Sequence, residues 1–330
     1  MYYLWLGLGF HGSFKLRPIL GGVYFKQALG LSKLAFVTGI TACCNAKNKL
    51  TVGKLKKSST FAVMELLECF VQGKRPDQSL CEDGWVMTPH FVAVVDGSTS
   101  KVPGRAGGLA AKDCVCKALH DLSPTADKAE MLHFLTEGLT AISPAEARWQ
   151  AAYRPTCSAV IYSVYRRVVW FVGDCQCRWE GQTYTNLKPV DDLLTGMRCD
   201  AVTYLLAHGH TVAELQQHDL GRAFILDALR DQTNFQNDSN PLNPYRYPVL
   251  DGTPVPPELV PEIAVPHAVT ECILASDGYP ELCDTLSESE QVLHERLAAD
   301  PLCVSLIRSP KAQMAGNHSF DDRCYLRFSL

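Results

Sequence analysis

The stretch Phe91–Gly97, which reads FVAVVDG, contains five apolar residues followed by an aspartate and a glycine. An apolar run of this length with three valines predicts a buried β-strand, and the Asp-Gly pair at its end predicts a turn. The same order recurs in CILASDG over residues 272–278, whereas FDDRCYLRF over residues 320–328 places its aspartates before the apolar run. Each segment therefore predicts a buried strand with a carboxylate at one end.

The rest of residues 64–330 alternates between apolar runs of strand length and helical patterns. Strands are predicted at residues 66–71, 85–95, 157–164, 168–172, 271–275 and 324–328. Helices are predicted at residues 109–122, 126–142, 190–206, 212–229 and 292–297, the last of them after a capping box from Thr285 to Glu288. The short link between residues 164 and 168 predicts an antiparallel hairpin. These elements favour an α+β fold with antiparallel sheets over a doubly wound parallel sheet.

Composition and charge exclude several classes of protein. Hydrophobic residues make up 47% of the 330-residue chain and charged residues 20%, which is typical of a globular protein and not of a disordered or collagen-like one. The longest stretches without a charged residue fall short of the roughly 18–20 apolar residues of a membrane-spanning helix, so no membrane partner is expected. Residues 64–330 carry 22 basic and 35 acidic residues, a balance that makes nucleic acid a poor partner.

Residues 1–63 differ from the remainder of the chain. They hold nine basic residues and no acidic residue, a composition that resembles an organelle transit peptide. The alternative is that synthesis begins at Met64 and that this basic extension is not translated. The first interpretation predicts an organellar protein and the second a cytoplasmic one. Under both, we expect one catalytic domain over residues 64–330.

The chain has 14 cysteines, and they do not form the Cys-x-x-Cys repeats of a zinc site. We interpret them as small buried apolar residues in a reducing compartment, in preference to disulfides or zinc ligands.

The aspartates at the strand ends predict the chemistry of the site. Any one of them could simply end a turn, since Asp-Gly is a typical turn sequence. Three of them together, each beside a buried strand, favour a shared site instead. Carboxylates supply the hard oxygen ligands that Mg²⁺ and Mn²⁺ prefer, and two such ions a few ångströms apart can hold a phosphoryl group.

Six short motifs, taken in order, resemble those of the metal-dependent serine/threonine protein phosphatases of type 2C. They are CED over residues 81–83, VDG over 95–97, TCSAV over 156–160, FVGDC over 171–175, ASDG over 275–278 and SFDD over 319–322. No single motif is specific, whereas six in order with suitable spacing are. The resemblance covers residues 64–330, the typical length of that catalytic domain.

The resemblance implies a four-layer sandwich, in which two antiparallel β-sheets pack face to face and are flanked by helices. It implies two metal ions, Mg²⁺ or Mn²⁺, at one end of the sandwich. Asp96 would bridge both ions, the carbonyl of Gly97 would bind one of them, and Asp277 and Asp321 would hold the other. A hydroxide bridging the two ions would attack phosphorus in line, so no further catalytic side chain is expected.

The resemblance also implies roles around these ligands. Glu82 and Asp83 would bind metal-bound waters in the outer shell of the site. We interpret Gly173-Asp174 and residues 156–160 as parts of a core hairpin and not as ligands.

Two departures from the family's pattern affect the site. The family has a histidine after its bridging Asp-Gly pair, and this chain has Ser98 there, so protonation of the leaving group would fall to water, Lys101 or the substrate. The family also has an arginine shortly before its Glu-Asp pair that binds phosphate. The nearest candidates here are Lys74 and Arg75, although a solvated surface arginine is an equal alternative for Arg75.

The sequence therefore predicts a metal-dependent phosphoester hydrolase, with phosphoserine or phosphothreonine in proteins as the first expectation for its substrate. The alternative is a pseudophosphatase, which would keep the fold as a regulatory or binding module. A haloacid-dehalogenase-like phosphatase is disfavoured, because that class needs Asp-x-Asp after its first strand and residue 98 is a serine. The choice between protein and small-molecule phosphoesters, and the oligomeric state, stay open.

Overall fold

Two antiparallel five-stranded sheets form the centre of the computed structural model, which describes residues 64–102, 104–105 and 107–330. The first sheet contains, in spatial order, β1 (Leu66–Gln72), β10 (Arg323–Ser329), β9 (Glu271–Ala275), β6 (Gln176–Trp179) and β7 (Gln182–Thr185). The second contains β2 (Asp83–Met87), β3 (Phe91–Gly97), β4 (Cys157–Ser163), β5 (Val168–Val172) and β8 (Glu262–Ala264). All neighbouring strands in these sheets run antiparallel.

Seven α-helices accompany the sheets within the described residues. They are α1 (Gly107–Ala118), α2 (Lys128–Ile142), α3 (Pro189–Ala207), α4 (Val212–Gln217), α5 (Leu220–Phe224), α6 (Leu226–Asp231) and α7 (Leu286–Ala299). A reciprocal capping box between Asp127 and Glu130 begins α2, and the Thr285 side chain caps α7 by accepting from the backbone of Glu288.

The core has the layered arrangement that the resemblance implies. Along β3, Val92 and Val94 pack between the two sheets, whereas Ala93 and Val95 face the apolar side of α1 and α2. On the other side of the molecule, α7 packs on the outer face of the first sheet around Tyr325. Because successive side chains of a strand point to opposite faces, one apolar strand can serve both layers. The predicted α+β four-layer sandwich is confirmed.

Several element boundaries differ from the prediction. The run at residues 85–95 divides into β2 and β3, because Thr88 Oγ1 accepts from the backbone of His90 and Phe91 and closes a turn. The helical pattern at residues 212–229 divides into α4, α5 and α6. The second of these helices begins where the Asp219 side chain accepts from the backbone of Arg222. The short strands β6, β7 and β8 have no continuous apolar run and were not predicted.

The prediction about the basic extension at residues 1–63 lies outside the described residues and stays a prediction. The described part of the chain contains twelve cysteines, nine of them buried. No helix in that part is both long and apolar enough to cross a membrane.

Candidate metal centre

The ends of three strands bring three aspartates together. Asp96 of β3 lies opposite Asp83 of β2 and Ser158 of β4 in the strand register. Asp174 follows the end of β5, and Asp277 follows the end of β9. One carboxylate oxygen from each of Asp96, Asp174 and Asp277 lies within 4.8 Å of the other two. We call these three residues the acidic group.

Asp174 belongs to this group, although the sequence indicates a core hairpin piece at its position. Its Oδ1 accepts a hydrogen bond from Ser158 Oγ at 2.8 Å and forms a salt bridge with Lys188 Nζ at 2.8 Å. The preceding Gly173 has φ +91°, and a Cβ atom there would lie 2.2 Å from Ser158 Oγ. The signal that could have identified Asp174 is the one that identified the other two members, an aspartate just after an apolar strand.

Asp321 is not a member of the acidic group, and two lysines pair with it. Lys74 Nζ lies 3.2 Å from Asp321 Oδ1, and Lys311 Nζ forms a second salt bridge with Oδ2. The charge of Asp321 nevertheless reaches the group, because it adds to the effect of burial in raising the pKa of Asp96 and Asp277. That Asp321 holds a metal together with Asp277 therefore stays a prediction.

The neighbouring Asp322 fixes the chain that leads into β2. Its Oδ1 accepts from the backbone N–H of Lys74 at 2.7 Å, and its Oδ2 accepts from that of Glu82 at 3.0 Å. Asp322 is buried, so its carboxylate is committed to these structural bonds. The result is that the start of β10 holds the start of β2 beside the acidic group.

Glu82 and Asp83, the predicted outer-shell residues, are both buried. Glu82 Oε2 accepts a hydrogen bond from Thr99 Oγ1 and lies 4.0 Å from Lys74 Nζ. Neither carboxylate oxygen of Asp83 has a hydrogen-bond partner among the described residues. A buried carboxylate without a partner is costly, and it needs either a proton or a cation.

Gly97 lies where the backbone of β3 meets the beginning of α1. A Cβ atom at this position would be 2.4 Å from the carbonyl oxygen of Gly108, so only glycine fits. Its N–H donates to the carbonyl of Glu82 at 2.9 Å. This close approach explains the glycine without a metal, and the role of the Gly97 carbonyl as a ligand stays a prediction.

The two predicted phosphate-binding residues differ in their surroundings. Lys74 Nζ donates to Thr99 Oγ1 at 3.2 Å and also lies 3.4 Å from Asp322 Oδ2. Burial opposes the charge of Lys74, but the carboxylates of Asp321, Asp322 and Glu82 raise its pKa above the usual value. Arg75 is exposed on the turn after β1, where its carbonyl accepts from Gln78.

Three carboxylates that belong to the acidic group or lie opposite it in the strand register form no salt bridge with any residue that the structure describes, and we call them the unbridged carboxylates. They are Asp83, Asp96 and Asp277. Burial raises the pKa of all three well above its ordinary value, and the charge of neighbouring carboxylates raises it further. Two carboxylates within 4.8 Å, as in the acidic group, repel by about 3 kcal/mol at an effective dielectric constant near 20. The unbridged carboxylates therefore oppose one another's ionisation, and an added cation would relieve this repulsion.

The two lysine-paired carboxylates, Asp174 and Asp321, show the opposite shift. Burial alone would raise the pKa of Asp174, but the Lys188 ammonium group holds it below the usual range. In the same way, Lys311 and Lys74 outweigh the burial of Asp321 and lower its pKa. Both carboxylates are therefore ionised at neutral pH and balanced by the chain's own cations.

A cleft of about 680 Å³ opens beside the acidic group. Its walls include Asp174, Asp277 and Asp321, together with Lys188 and Lys311. Apolar side chains such as Phe320 and Ile307 also line it. Carboxylates, ammonium groups and apolar surface thus meet in one concave site, as in many ligand-binding clefts.

The residues fit a hard divalent cation. Asp96, Asp174 and Asp277 offer oxygen ligands from three different strand ends, which is the donor type that Mg²⁺ and Mn²⁺ prefer. Asp277 Oδ1 is buried and has no hydrogen-bond partner among the described residues. A cation between these carboxylates would satisfy that oxygen and offset the repulsion within the group.

No protein-family model and no curated protein matches the chain. Among solved structures, it resembles the serine/threonine phosphatase PstP/Ppp of Mycobacterium tuberculosis, with 17% identity, a TM-score of 0.42, and coverage of 82% of this chain and 99% of that one. It also resembles Stp1 of Staphylococcus aureus, with 15% identity, a TM-score of 0.42, and coverage of 85% and 99%. The catalytic domain of PstP in complex with two manganese ions gives 15% identity, a TM-score of 0.43, and coverage of 81% and 98%. All three are serine/threonine phosphatases.

Proposed function

We propose that the chain is a divergent metal-dependent phosphatase of type 2C that hydrolyses phosphoserine or phosphothreonine in proteins. The observation that carries this proposal is the acidic group, in which three carboxylates from separate strand ends lie within 4.8 Å of one another. The order of six motifs along the sequence supports the same conclusion. Mg²⁺ or Mn²⁺ is the cofactor that the donor atoms fit.

The acidic group would hold the cation, with Asp96 at its centre. When bound, divalent cations lower the pKa of a water toward neutrality and offset negative charge on phosphoryl oxygens. Asp83 lies directly across from Asp96 in the strand register and would orient water beside the group. Glu82, held by Thr99, would do the same from the other side of β2.

The proton for the leaving oxygen would come from Lys101. Its Nζ donates to Ser98 Oγ at 3.2 Å, at the position where the family has a histidine. Burial, with the nearby charges of Arg222 and Lys311, lowers the pKa of Lys101 to about 8. An ammonium group with this pKa is a better proton donor at neutral pH than an ordinary lysine.

One observation favours the second candidate, a pseudophosphatase. Lys74 and Lys311 both pair with Asp321, so the chain already supplies cations to one carboxylate that the resemblance assigns to a metal. A site balanced in this way would bind metal weakly and would serve as a regulatory or binding module.

Turnover distinguishes the two candidates. We expect the full chain to hydrolyse p-nitrophenyl phosphate and a phosphothreonine peptide with Mn²⁺, and to lose this activity with a chelator. Asp277→Asn should lower the rate by about 10³-fold, since a metal contributes several kcal/mol and each 1.4 kcal/mol is tenfold. Asp200→Asn, at an exposed position on α3, is the matched control and should stay active. Absence of turnover with every divalent ion would support the pseudophosphatase instead.

A further inference from the structure

We propose that Lys188 and Lys311 bind the phosphoryl group of the substrate, in place of Arg75 and Lys74. This inference rests on the proposed function, since it names residues of the same site. It concerns a phosphate monoester and the ammonium groups that would receive its oxygens.

The two ammonium groups lie at the boundary between the carboxylates and the cleft. Lys188 Nζ is 2.8 Å from Asp174 Oδ1, and Lys311 Nζ pairs with Asp321 Oδ2. Both lysines line the cleft beside Asp277. Their side chains are 16% and 25% exposed, so each is partly shielded and still accessible from the cleft.

Lysine chemistry allows these groups to change partners. An ammonium group has three donors on a flexible stem, so it can turn from a carboxylate to another anion. If Asp174 and Asp321 held divalent cations, they would attract the two lysines less strongly. The oxygens of a phosphoryl group in the cleft then become the nearest strong acceptors, and a bond between charged partners is among the stronger hydrogen bonds.

The residues that the sequence indicated for this role are placed differently. Neither Lys74 nor Arg75 is among the described residues that line the cleft. Lys74 is held by the carboxylates of Asp321 and Asp322 and by Thr99. Lys74 therefore acts as a counter-ion to Asp321 and Asp322.

A buried arginine connects the helix that follows Lys188 to the loop that precedes Lys311. Lys188 is the N-cap residue of α3, and Arg198 lies on the same helix with none of its side chain exposed. Arg198 Nη1 donates to the carbonyls of Leu302 and Ser309 at 3.0 Å each, in the loop that leads to Lys311.

Two further bonds hold this loop against the helices. The backbone N–H of Ala312 donates to Asp219 Oδ2 at 2.9 Å, and Arg222 Nη1 donates to the carbonyl of Pro310 at 2.7 Å. The loop on both sides of Lys311 is therefore fixed relative to α3. This keeps the backbone positions of the two lysines fixed while their side chains change partners.

The test is titration of the full chain with inorganic phosphate at saturating Mg²⁺, followed by calorimetry. Lys311→Gln and Lys188→Gln should each weaken phosphate binding by about tenfold or more, since a hydrogen bond to a charged group contributes about 1.5–3 kcal/mol. Lys311→Arg, which keeps the charge, should restore most of the binding. Arg75→Gln and the exposed Lys117→Gln are matched controls that should bind phosphate like the unchanged chain.

Steady-state kinetics separates this inference from the proposed function. If the unchanged chain turns over substrate and the two glutamine variants keep its KM and its affinity for phosphate, the inference is wrong and the phosphatase proposal stands. If the unchanged chain shows no turnover, the phosphate titration still decides the role of the lysines. Loss of phosphate binding in Arg75→Gln alone, or no phosphate binding by the unchanged chain, would also overturn the inference.

Discussion

The unbridged and the lysine-paired carboxylates are chemically identical, and their surroundings shift their pKa values in opposite directions. Asp96 and Asp277 have no ammonium partner among the described residues, and burial raises the pKa of each. Burial opposes the ionisation of Asp174 and Asp321 too, but lysines lower the pKa of each. Asp174 and Asp321 are thus balanced by lysines of the chain, whereas Asp96 and Asp277 would be balanced only by an added cation. This difference is why we propose a metal beside Asp96 and Asp277 and a phosphoryl group beside the two lysines.

The position of Lys311 beside Asp321 depends most strongly on Arg198, which holds the loop before Lys311. Arg198→Met should lower the free energy of unfolding by about 3–5 kcal/mol, because it leaves the Asp219 carboxylate without its cation and the loop carbonyls of Leu302 and Ser309 without their donor. Urea unfolding of both proteins measures this. The exposed Arg148→Met is the matched control and should change stability by less than about 0.5 kcal/mol. Equal small effects of the two substitutions would show that the loop is held by other contacts.

Removing one lysine-paired carboxylate and removing one unbridged carboxylate should change the stability of the protein in opposite directions. Without metal, Asp321→Asn should destabilise the fold by about 2 kcal/mol, since it removes the negative charge that pairs with both Lys74 and Lys311. Asp96→Asn should stabilise the metal-free protein, because it removes a carboxylate that has no ammonium partner among the described residues and that neighbouring carboxylates repel. Thermal unfolding in the presence of a chelator compares them, and shifts of the same sign would refute the distinction.

Asp300 represents a third way of satisfying a carboxylate, by backbone N–H groups. Its Oδ2 accepts from Ser305 and Leu306 at 2.8 Å each, and its Oδ1 accepts from Val304 at 3.1 Å. Burial opposes ionisation, but these donors lower the pKa of Asp300. A group whose pKa is lower in the folded state stabilises the fold above its unfolded pKa, and this stability is lost as the pH falls through the folded value.

Asp300→Asn should therefore destabilise the protein by about 1–2 kcal/mol at pH 7, and the difference should shrink below about pH 4. Urea unfolding at pH 7, 5 and 3.5 measures this. If the difference in unfolding free energy between the two proteins stays constant over this range, the charge of Asp300 does not stabilise the loop.

The smallest expected effect concerns competition between lysine and metal. Lys311→Met removes one internal cation from Asp321, so Mn²⁺ should bind a few-fold more tightly to the variant than to the unchanged chain. Lys117→Met, on the exposed side of α1, should leave the affinity unchanged. Calorimetric titration detects such a change. Weaker binding in the Lys311 variant would mean that this lysine supports the metal site and does not compete with it.

The sequence predicted the sandwich well because its strands are apolar on both faces. Residues 92–95 pack alternately between the two sheets and against the helices. Such continuous apolar runs are recognisable in the sequence without knowing which strands they pair with. Asp96 and Asp277 were found for the same reason, since each ends such a run. Asp174 also follows an apolar run, but the sequence places it in a hairpin, and this gave no indication that it lies close to Asp96 and Asp277.

The lysines could not be assigned from the sequence. Lys188 and Lys311 are far apart in the chain, and only the packing of α3 against the loop after Leu302 brings both to one cleft. Lys74 and Arg75 were the candidates because they lie near Glu82 in sequence. Contacts between distant segments depend on tertiary packing, and no local pattern encodes them.

The most direct test of the metal centre is calorimetric titration of the full chain with Mn²⁺, compared with Asp96→Asn and the control Asp200→Asn. We expect saturable binding by the unchanged chain and by Asp200→Asn, and a loss of at least about tenfold in affinity for Asp96→Asn. Absence of saturable binding by the unchanged chain, or equal affinity in all three proteins, would contradict the proposal that these aspartates hold a divalent cation.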